Sequence, residues 1–346
     1  MTIAAQPSPV RLERLDGLRG LAALAVVLFH FTTQFPRLVP GGEAPFAFAA
    51  GAYGVHLFFM ISGFVILMSI AARGPAYFVR SRLIRLYPVF WAAVLLTSLV
   101  LWLDPLLGPP PGLVQVLANL TMLEQFVGIE PVDGAYWSLT YELGFYAMMF
   151  ALFSLRLHGW LGWLPLWMAL GALVFPLVSP FIPAPLHLLI GVSAYSHLFA
   201  AGLALYLARS EGFALRHWLV LALVPLAQWA NDGPGGALLV AGALLAMVWG
   251  TAPAGGLPRR AAWLSKLGAL SYALYLVHQM IGYVLLARLQ EAGLPALPAL
   301  LVVLAAVLLL AEALTRWVER PSARWLRRVL PSFGKRSARP AALAEG

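Results

Sequence analysis

The feature that most constrains this chain is a succession of about ten apolar stretches, each close to the ~20 residues that a helix needs to cross a bilayer. Of its 346 residues, 61% are hydrophobic and 11% are charged, against roughly 45–50% and about 25% in soluble globular proteins. A soluble fold would leave much of this apolar surface exposed to water. We therefore predict an all-α polytopic membrane protein with about ten transmembrane helices. The predicted spans are 15–33, 53–72, 86–103, 136–155, 160–178, 186–208, 214–230, 235–251, 268–288 and 296–317.

The basic residues sort to one side of these spans when the N-terminus is placed in the cytoplasm. All of the 23 Lys and Arg residues except Arg37 and Arg288 then belong to cytoplasmic segments. An odd number of spans would break this sorting, so we expect both termini to be cytoplasmic. The same placement accounts for the net charge of +9 without a nucleic-acid partner. We predict a membrane domain over residues 1–321 and a basic cytoplasmic tail over 322–346 that binds anionic membrane lipids.

The first span carries three polar residues, Asp16, Arg19 and His30, which are costly inside hydrocarbon and so need a reason. Arg19 and His30 are eleven residues apart, close to three helical turns, so they share one face with a rise of ~16 Å between them. We therefore expect a permanent cation near the cytoplasmic end of the helix and a titratable imidazole in its outer half. Taken singly, Arg19 is also consistent with a snorkelling interface residue and His30 with a hydrogen-bonded core histidine.

Two further features lie in the second span and in the inner loop that follows it. Ser62 and Gly63 stand in mid-span, where small residues allow close helix packing or a local break. Arg82 and Arg85 are neighbours on a helical turn, and the guanidinium fork suits phosphate. The alternative for the arginines is an ordinary positive-inside flank.

Later spans carry one carboxylate and one polar stripe. Glu142 lies inside the fourth apolar stretch, and Ser271, Tyr275 and His278 follow one face of the ninth at i, i+4 and i+7. The stripe is equally consistent with a structural hydrogen-bond network. The chain has no cysteine, which excludes disulfides and thiolate nucleophiles. Its histidines lack the paired spacing of a metal site, so we predict no metal.

The order of these motifs resembles that of the integral-membrane acyltransferase-3 family. Its opening mark is a basic residue, ten residues and a histidine, which Arg19 and His30 match. The other marks follow in order to about residue 321, and each alone is weak. They are Gly54-Val55-His56-Leu57-Phe58-Phe59 with Ser62-Gly63-Phe64, Arg82-x-x-Arg85 with Tyr87-Pro88, Trp137-Ser138-Leu139 with Glu142 and Phe145-Tyr146, Ser271-Tyr272 through Tyr275 to His278, and Glu319-Arg320-Pro321.

The chain departs from the family pattern at a few positions. His56 stands where many relatives have Asp, and Leu143 and Gly144 replace an acid and an amide that are common after the Glu142 position. These differences bear on substrate preference more than on class. The extra span and secreted hydrolase-like domain of some relatives are not found in this sequence, so it resembles the stand-alone type.

The resemblance implies O-acylation of a carbohydrate hydroxyl, with acetyl-CoA or another acyl-CoA as co-substrate and no permanently bound cofactor. The acceptor would be a polysaccharide, a lipid-linked glycan or a small glycosylated product. We expect His30 to be the general base, and direct transfer and an acyl-histidine relay both stay open. The residues expected to carry the reaction fall into three groups. They are the catalytic His30, Glu142 and His278, the donor-binding Arg19, Arg82, Arg85 and Ser62, and the supporting Asp16, Ser271 and Tyr275.

Two other functions are consistent with the same residues. Intramembrane His and Glu also serve proton relays in secondary transporters, here for a sugar- or lipid-linked substrate, although we detect no repeat in the sequence. A purely structural membrane subunit is the third possibility. In each case we expect a multi-pass protein of the cell (inner) membrane.

Overall fold

The computed structural model describes residues 12–183, 186, 190–252 and 256–330, and within these ranges the regular structure is entirely helical. Short 3-10 turns join several of the helices. Apart from the single α-helical turn Phe35–Leu38, the α-helices are α1 Glu13–Phe29, α2 Gly54–Arg73, α3 Pro75–Leu103, α4 Leu113–Asn119, α5 Trp137–Ser154, α6 Leu164–Val178, α7 Ser196–Glu211, α8 Leu215–Gly250, α9 Ala262–Val277, α10 Gln279–Glu291, α11 Ala296–Leu314 and α12 Arg320–Val329.

The exterior of the described helices is apolar, as it must be for a protein solvated by lipid. Leu238, Leu245 and Leu309 are 75%, 71% and 71% exposed although they lie in the middle of long helices. Six described stretches are long and apolar enough to cross a bilayer, and the count is seven if the bent pair α9–α10 forms one span. The chain is therefore a multi-pass membrane protein. The six stretches are Glu13–Leu38, Ala49–Arg73, Pro75–Leu103, Leu164–Phe181, Leu215–Gly250 and Ala296–Val329.

The predicted spans and the observed helices differ at three places. The predicted span 186–208 starts too early, because residues 190–195 form turns and α7 begins at Ser196. The two predicted spans 214–230 and 235–251 lie in one helix, α8, which is interrupted by a non-helical Gly233 with φ of 75°. The interruption falls within Asn231-Asp232-Gly233-Pro234, a sequence typical of a turn.

The third difference concerns the predicted span 268–288, which is broken. Helices α9 and α10 meet at an angle of 74°, and His278 is the residue between them. The hydropathy of this stretch gives no sign of such a bend, because hydropathy is insensitive to backbone direction.

Two pairs of glycines bring helices into close contact. A Cβ atom at Gly268 in α9 would clash with the carbonyl oxygen of Asp16 in α1. A Cβ atom at Gly20 in α1 would meet the backbone of α9 at the same contact. In the same way, Gly63 in α2 lies against the carbonyl oxygen of Phe199 in α7, and Gly202 in α7 lies against α2. Small residues of this kind let membrane helices approach backbone to backbone. Of the two interpretations of Ser62-Gly63, close packing is the one observed, since α2 runs through it unbroken.

The predicted boundary at residue 321 falls inside helical structure. A π-helical turn, Thr315–Glu319, leads from α11 into α12, and α12 continues to Val329. The Arg80 guanidinium donates to the carbonyl oxygens of Arg327 and Leu330, which ties the C-terminal end of α12 to α3. The rest of the predicted tail, 331–346, lies outside the described residues.

The glycine contact between α2 and α7 makes a testable prediction. We expect Gly63→Ala to destabilise the protein by about 1–3 kcal/mol, because the added methyl group meets backbone that cannot move aside. The measurement is thermal or denaturant unfolding of the detergent-purified protein followed by tryptophan fluorescence. The matched control is Gly242→Ala in α8, where the methyl group enters open space and helix propensity favours alanine by about 1 kcal/mol. Equal stability of the two variants would contradict this account of the packing.

Candidate functional site

A cavity lies between α1, α2, α3, α5 and α9, with about 720 Å³ free of protein atoms, part of it open to the exterior. Most of the predicted site residues line this cavity, although they come from five different helices. Apolar and aromatic side chains, among them Phe58 and Phe59, complete its wall. The predicted residues that line it are Arg19, Ser62, Arg82, Arg85, Glu142, Ser271 and Tyr275.

Three guanidinium groups line the cavity, those of Arg19, Arg82 and Arg85. The guanidinium of Arg19 lies 4.0 Å from the carboxylate of Asp16, which is three residues earlier in α1. The guanidinium of Arg82 lies over the rings of Phe78 and Tyr146, at 5.5 and 5.7 Å from their centroids. Arg85 completes the group. Three cations around one cavity favour an anionic ligand.

Glu142 is the carboxylate of this cavity. Its Oε1 accepts hydrogen bonds from the Ser62 hydroxyl at 2.6 Å and from the Tyr146 hydroxyl at 2.7 Å. Among the described residues no hydrogen bond joins Glu142 to a histidine. Glu142 thus belongs to the arginine cavity and acts there as an acceptor for two hydroxyl groups.

Most hydroxyl groups of the cavity already donate to protein acceptors. The Tyr275 hydroxyl donates to the carbonyl oxygen of Ala135 at 2.8 Å and lies 2.7 Å from Ser138 Oγ, which must then be the donor of that pair. Ser271 donates to the carbonyl oxygen of Gly268, and Tyr272 to that of Leu86. By contrast, Arg82 Nε is buried without a hydrogen-bond partner. The donors still available to a ligand therefore lie on the guanidinium side of the cavity.

His30 and His278 contact each other beside this cavity. His278 Nε2 lies 3.0 Å from His30 Nδ1, and the ring centroids are 4.8 Å apart in an edge-on arrangement. His278 is fully buried and His30 is 9% exposed. The sequence placed them 248 residues apart and predicted both as catalytic, and the fold brings them together.

Both histidines lie where their helices depart from regular α geometry. His30 begins a π-helical turn, His30–Gln34, that continues α1. His278 lies in the break between α9 and α10. Such irregularities change the direction in which a side chain points, and they are frequent at functional sites. The close fit of Gly282 against the Phe31 ring lets α10 approach α1 at this level.

The hydrogen bonds of the pair fix a tautomer for each neutral ring. His278 Nδ1 lies 2.8 Å from the carbonyl oxygen of Tyr275, and since a carbonyl only accepts, Nδ1 carries the hydrogen. His278 Nε2 is then an acceptor. His30 Nδ1 lies between that acceptor and the carbonyl oxygen of Val26 at 3.0 Å, so it too carries the hydrogen. The lone pair of His30 is therefore on Nε2, the nitrogen available as a base.

Tyr275 connects the histidine pair with the cavity. Its side chain lines the cavity, and its backbone carbonyl accepts from His278. The predicted stripe of Ser271, Tyr275 and His278 therefore has two ends with different surroundings. Ser271 lies with the arginines, whereas His278 lies with His30.

Sequence reasoning missed several residues at this site. Asp133 and Tyr136, near the end of the loop between α3 and α5, bond with the backbone of the broken span. The usable signal was the Asp133-Gly134 pair, since Asp before Gly is a frequent turn former. Tyr146 was noted as part of a motif but without a role.

A second polar network contains His56 and His197, which are not among the predicted site residues. His197 is fully buried, and its Nε2 lies 2.9 Å from Gln228 Oε1. Gln228 in turn donates to Asp232, which also accepts from the Tyr53 hydroxyl. His56 lies between the Tyr53 and Tyr195 rings. This network involves different residues from the cavity and the histidine pair.

Comparison of the sequence with known proteins identifies the family of this chain. The model of the acyltransferase-3 family, described as an acyltransferase domain, matches residues 12–316. Acyltransferase MdmB of Streptomyces mycarofaciens is 28% identical over 317 residues, covering 80% of each chain. Exopolysaccharide production protein ExoZ of Rhizobium meliloti (strain 1021) is 30% identical over 256 residues, covering 67% of this chain and 76% of the relative. No solved structure matches the chain.

The family match covers all ten predicted site residues and nearly all the described helices. It also agrees with the order of motifs read from the sequence. The chain belongs to the acyltransferase-3 family, and the predicted enzyme class, an O-acyltransferase, is confirmed.

Proposed function

We propose that this protein transfers an acetyl group from acetyl-CoA to a hydroxyl group of a carbohydrate or glycosylated acceptor. The observation that carries the proposal is the contact between His30 and His278 beside a cavity lined by three arginines. The similarity to an exopolysaccharide production protein supports the choice of a carbohydrate acceptor.

We further propose ten spans with both termini in the cytoplasm, in the inner membrane. In this arrangement α5, α7 and the two parts of α8 each cross the bilayer. The sorting of arginines supports it, because α12 with Arg324, Arg327 and Arg328 then lies on the cytoplasmic side. Arg19 is near the cytoplasmic end of α1, and His30 is ~16 Å further outward along the helix.

The three arginines are suited to hold the phosphates of the coenzyme. Guanidinium groups bind phosphate through paired hydrogen bonds, and Arg82 retains an unused N–H. The extended pantetheine arm would then follow the face of α1 from Arg19 toward His30. We assign Glu142 to balance the positive charge, with Ser62 bound to it, and Asp16 to hold Arg19.

The histidine pair supplies the acid–base chemistry. His30 Nε2 takes the proton of the acceptor hydroxyl as its oxygen attacks the thioester carbonyl carbon. The bond from carbonyl carbon to sulfur then breaks, and the coenzyme leaves as a thiolate that takes the proton from His30. His278 fixes the tautomer of His30 and disperses the positive charge that forms on it. Ser271 and Tyr275 support the helix that carries His278.

One observation keeps a transport function as the alternative. Broken membrane helices, such as α9–α10, are also typical of secondary transporters. Flux of a glycosylated substrate in proteoliposomes, without consumption of acetyl-CoA, would favour transport over transfer.

The role of His30 is testable with radiolabelled acetyl-CoA and detergent-purified protein. We expect His30→Ala to lower acetyl transfer or hydrolysis by about 10²–10⁴-fold, because the general base is lost. Binding of the coenzyme, measured by calorimetry, should be retained, since His30 is far from the arginines. The matched control is His158→Ala, in the connection between α5 and α6. Full activity of His30→Ala would overturn the assignment, and absence of coenzyme binding by the wild type would overturn the proposed donor.

The role of the arginines is testable with two donors. We expect Arg82→Ala and Arg85→Ala to weaken binding of acetyl-CoA by about 10- to 100-fold, the range for a lost charge-assisted hydrogen bond. Acetyl-pantetheine carries the same thioester without phosphates, so its turnover should change little. The control is Arg328→Ala, an exposed arginine of α12. Equal losses with both donors would show that these arginines do not bind phosphate.

A further inference from the structure

We propose that Asp133 is a positioning residue that holds the broken span α9–α10 in the shape that directs His278 toward His30. The inference deepens the proposed function and rests on it for the role of His278. It concerns a loop residue that lies outside the cavity.

The break at His278 leaves backbone groups without helical partners. Where α9 ends, carbonyl oxygens lose their usual N–H donors, and where α10 begins, N–H groups lack the carbonyl oxygens of a preceding turn. Within a membrane protein such groups must be satisfied by other protein atoms, because no water is available in the hydrocarbon layer. The bend at His278 therefore depends on whatever supplies those partners.

The end of the loop between α3 and α5 supplies them. Asp133 Oδ2 accepts from the backbone N–H of Met280 at 3.1 Å, just after His278. The Tyr136 hydroxyl donates to the carbonyl oxygen of Leu276 at 3.0 Å, just before it. The Tyr275 hydroxyl returns a hydrogen bond to Ala135. Segment 133–136 is thus bonded to the chain on both sides of His278.

A carboxylate suits this position better than an amide. Asp133 Oδ1 accepts from the N–H of Ala135 at 2.9 Å while Oδ2 accepts from Met280, so each oxygen serves a different N–H. An amide side chain would offer only one acceptor oxygen and would turn a donor toward the second N–H. A negative charge is also stabilised at the first turn of α10 by the helix dipole. Asp133 is fully buried, so its two carboxylate oxygens depend on these N–H groups for their hydrogen bonds.

The rest of the loop holds Asp133 in place. Asn119 in α4 donates to the carbonyl oxygen of Glu130 and accepts from the N–H of Val132, next to Asp133. At the start of the loop, Asp104 takes two hydrogen bonds from Arg288 in α10, at 2.6 and 2.7 Å. The loop therefore binds α10 near both of its ends, at Met280 and at Arg288.

The test combines Asp133→Asn with His278→Ala in a double-mutant cycle. We expect Asp133→Asn alone to lower kcat about 10- to 100-fold with little change in the donor KM, since small misplacements of a catalytic group cost rates of this order. In the His278→Ala background, Asp133→Asn should cause no further loss, because its effect passes through His278. The control is Glu130→Gln, an exposed acid of the same loop. A loss of the same size in both backgrounds would overturn the proposal.

Two additions keep the test decisive if Asp133→Asn does not fold or if no turnover is found. Tyr136→Phe removes only the hydroxyl that binds Leu276, and we expect a smaller loss of kcat with the same dependence on His278. Histidine-selective ¹⁵N NMR follows the seven imidazoles without any substrate. Perturbation of the His278 signal by Asp133→Asn, and not by Glu130→Gln, supports positioning. An unchanged His278 signal overturns it, whereas an inactive wild type with a perturbed signal overturns only the proposed function.

Discussion

The contact between His30 and His278 is the interaction on which the candidate site depends, and two regular helices would not supply it in this form. Each histidine lies at an irregular turn, a π-helical turn in α1 and a break between α9 and α10. Irregular backbone at membrane depth needs partners from elsewhere in the protein. The contact is therefore a property of the assembled helices together with the loop that binds the break, and no single helix determines it.

Glycines at the helix interfaces determine how closely the helices around this contact pack. Because Gly20 and Gly268 let α1 and α9 touch backbone to backbone, the face of α1 that carries Arg19 is held against the helix that leads to His278. Further along the same helix, next to His30, the Phe31 ring packs against Gly282. Arg19 and His30 are thus held at fixed positions along one helix. Arg19 lines the cavity, and His30 contacts His278.

Much of this site was predictable from residue types and spacing, but its connections were not. That Arg19 and His30 share one face follows from helical periodicity, and Arg19, Arg82 and Arg85 were assigned together as donor-binding residues. Glu142 was assigned to the catalytic set with the histidines, whereas it lies with the arginines in the cavity. The bend at His278 was not predictable, because neither Gly nor Pro stands next to it and mean hydropathy is insensitive to backbone direction. Asp133 was overlooked for a related reason: an acid in a polar loop is ordinarily solvated, and only the three-dimensional path of the loop places it in the protein interior. The start of α7 was misplaced because an apolar run can form turns as well as helix when it is buried.

The distribution of hydrogen-bond donors finally separates the site into two parts with different chemistry. The hydroxyl groups of Ser62, Tyr146 and Tyr275 are already bound to acceptors of the protein, so they shape the cavity and are not free to bind an incoming anion. The guanidinium groups have capacity left, and they lie toward the Arg19 end of α1. The imidazole pair lies toward the other end, where His30 Nε2 faces no competing donor among the described residues. The proposed donor, with phosphates at one end and a reactive thioester at the other, matches this order, because its charge and its reacting carbon would meet different groups ~16 Å apart. Because Arg19 and His30 lie on one helix, the rigidity of that helix fixes the distance between the two parts of the site.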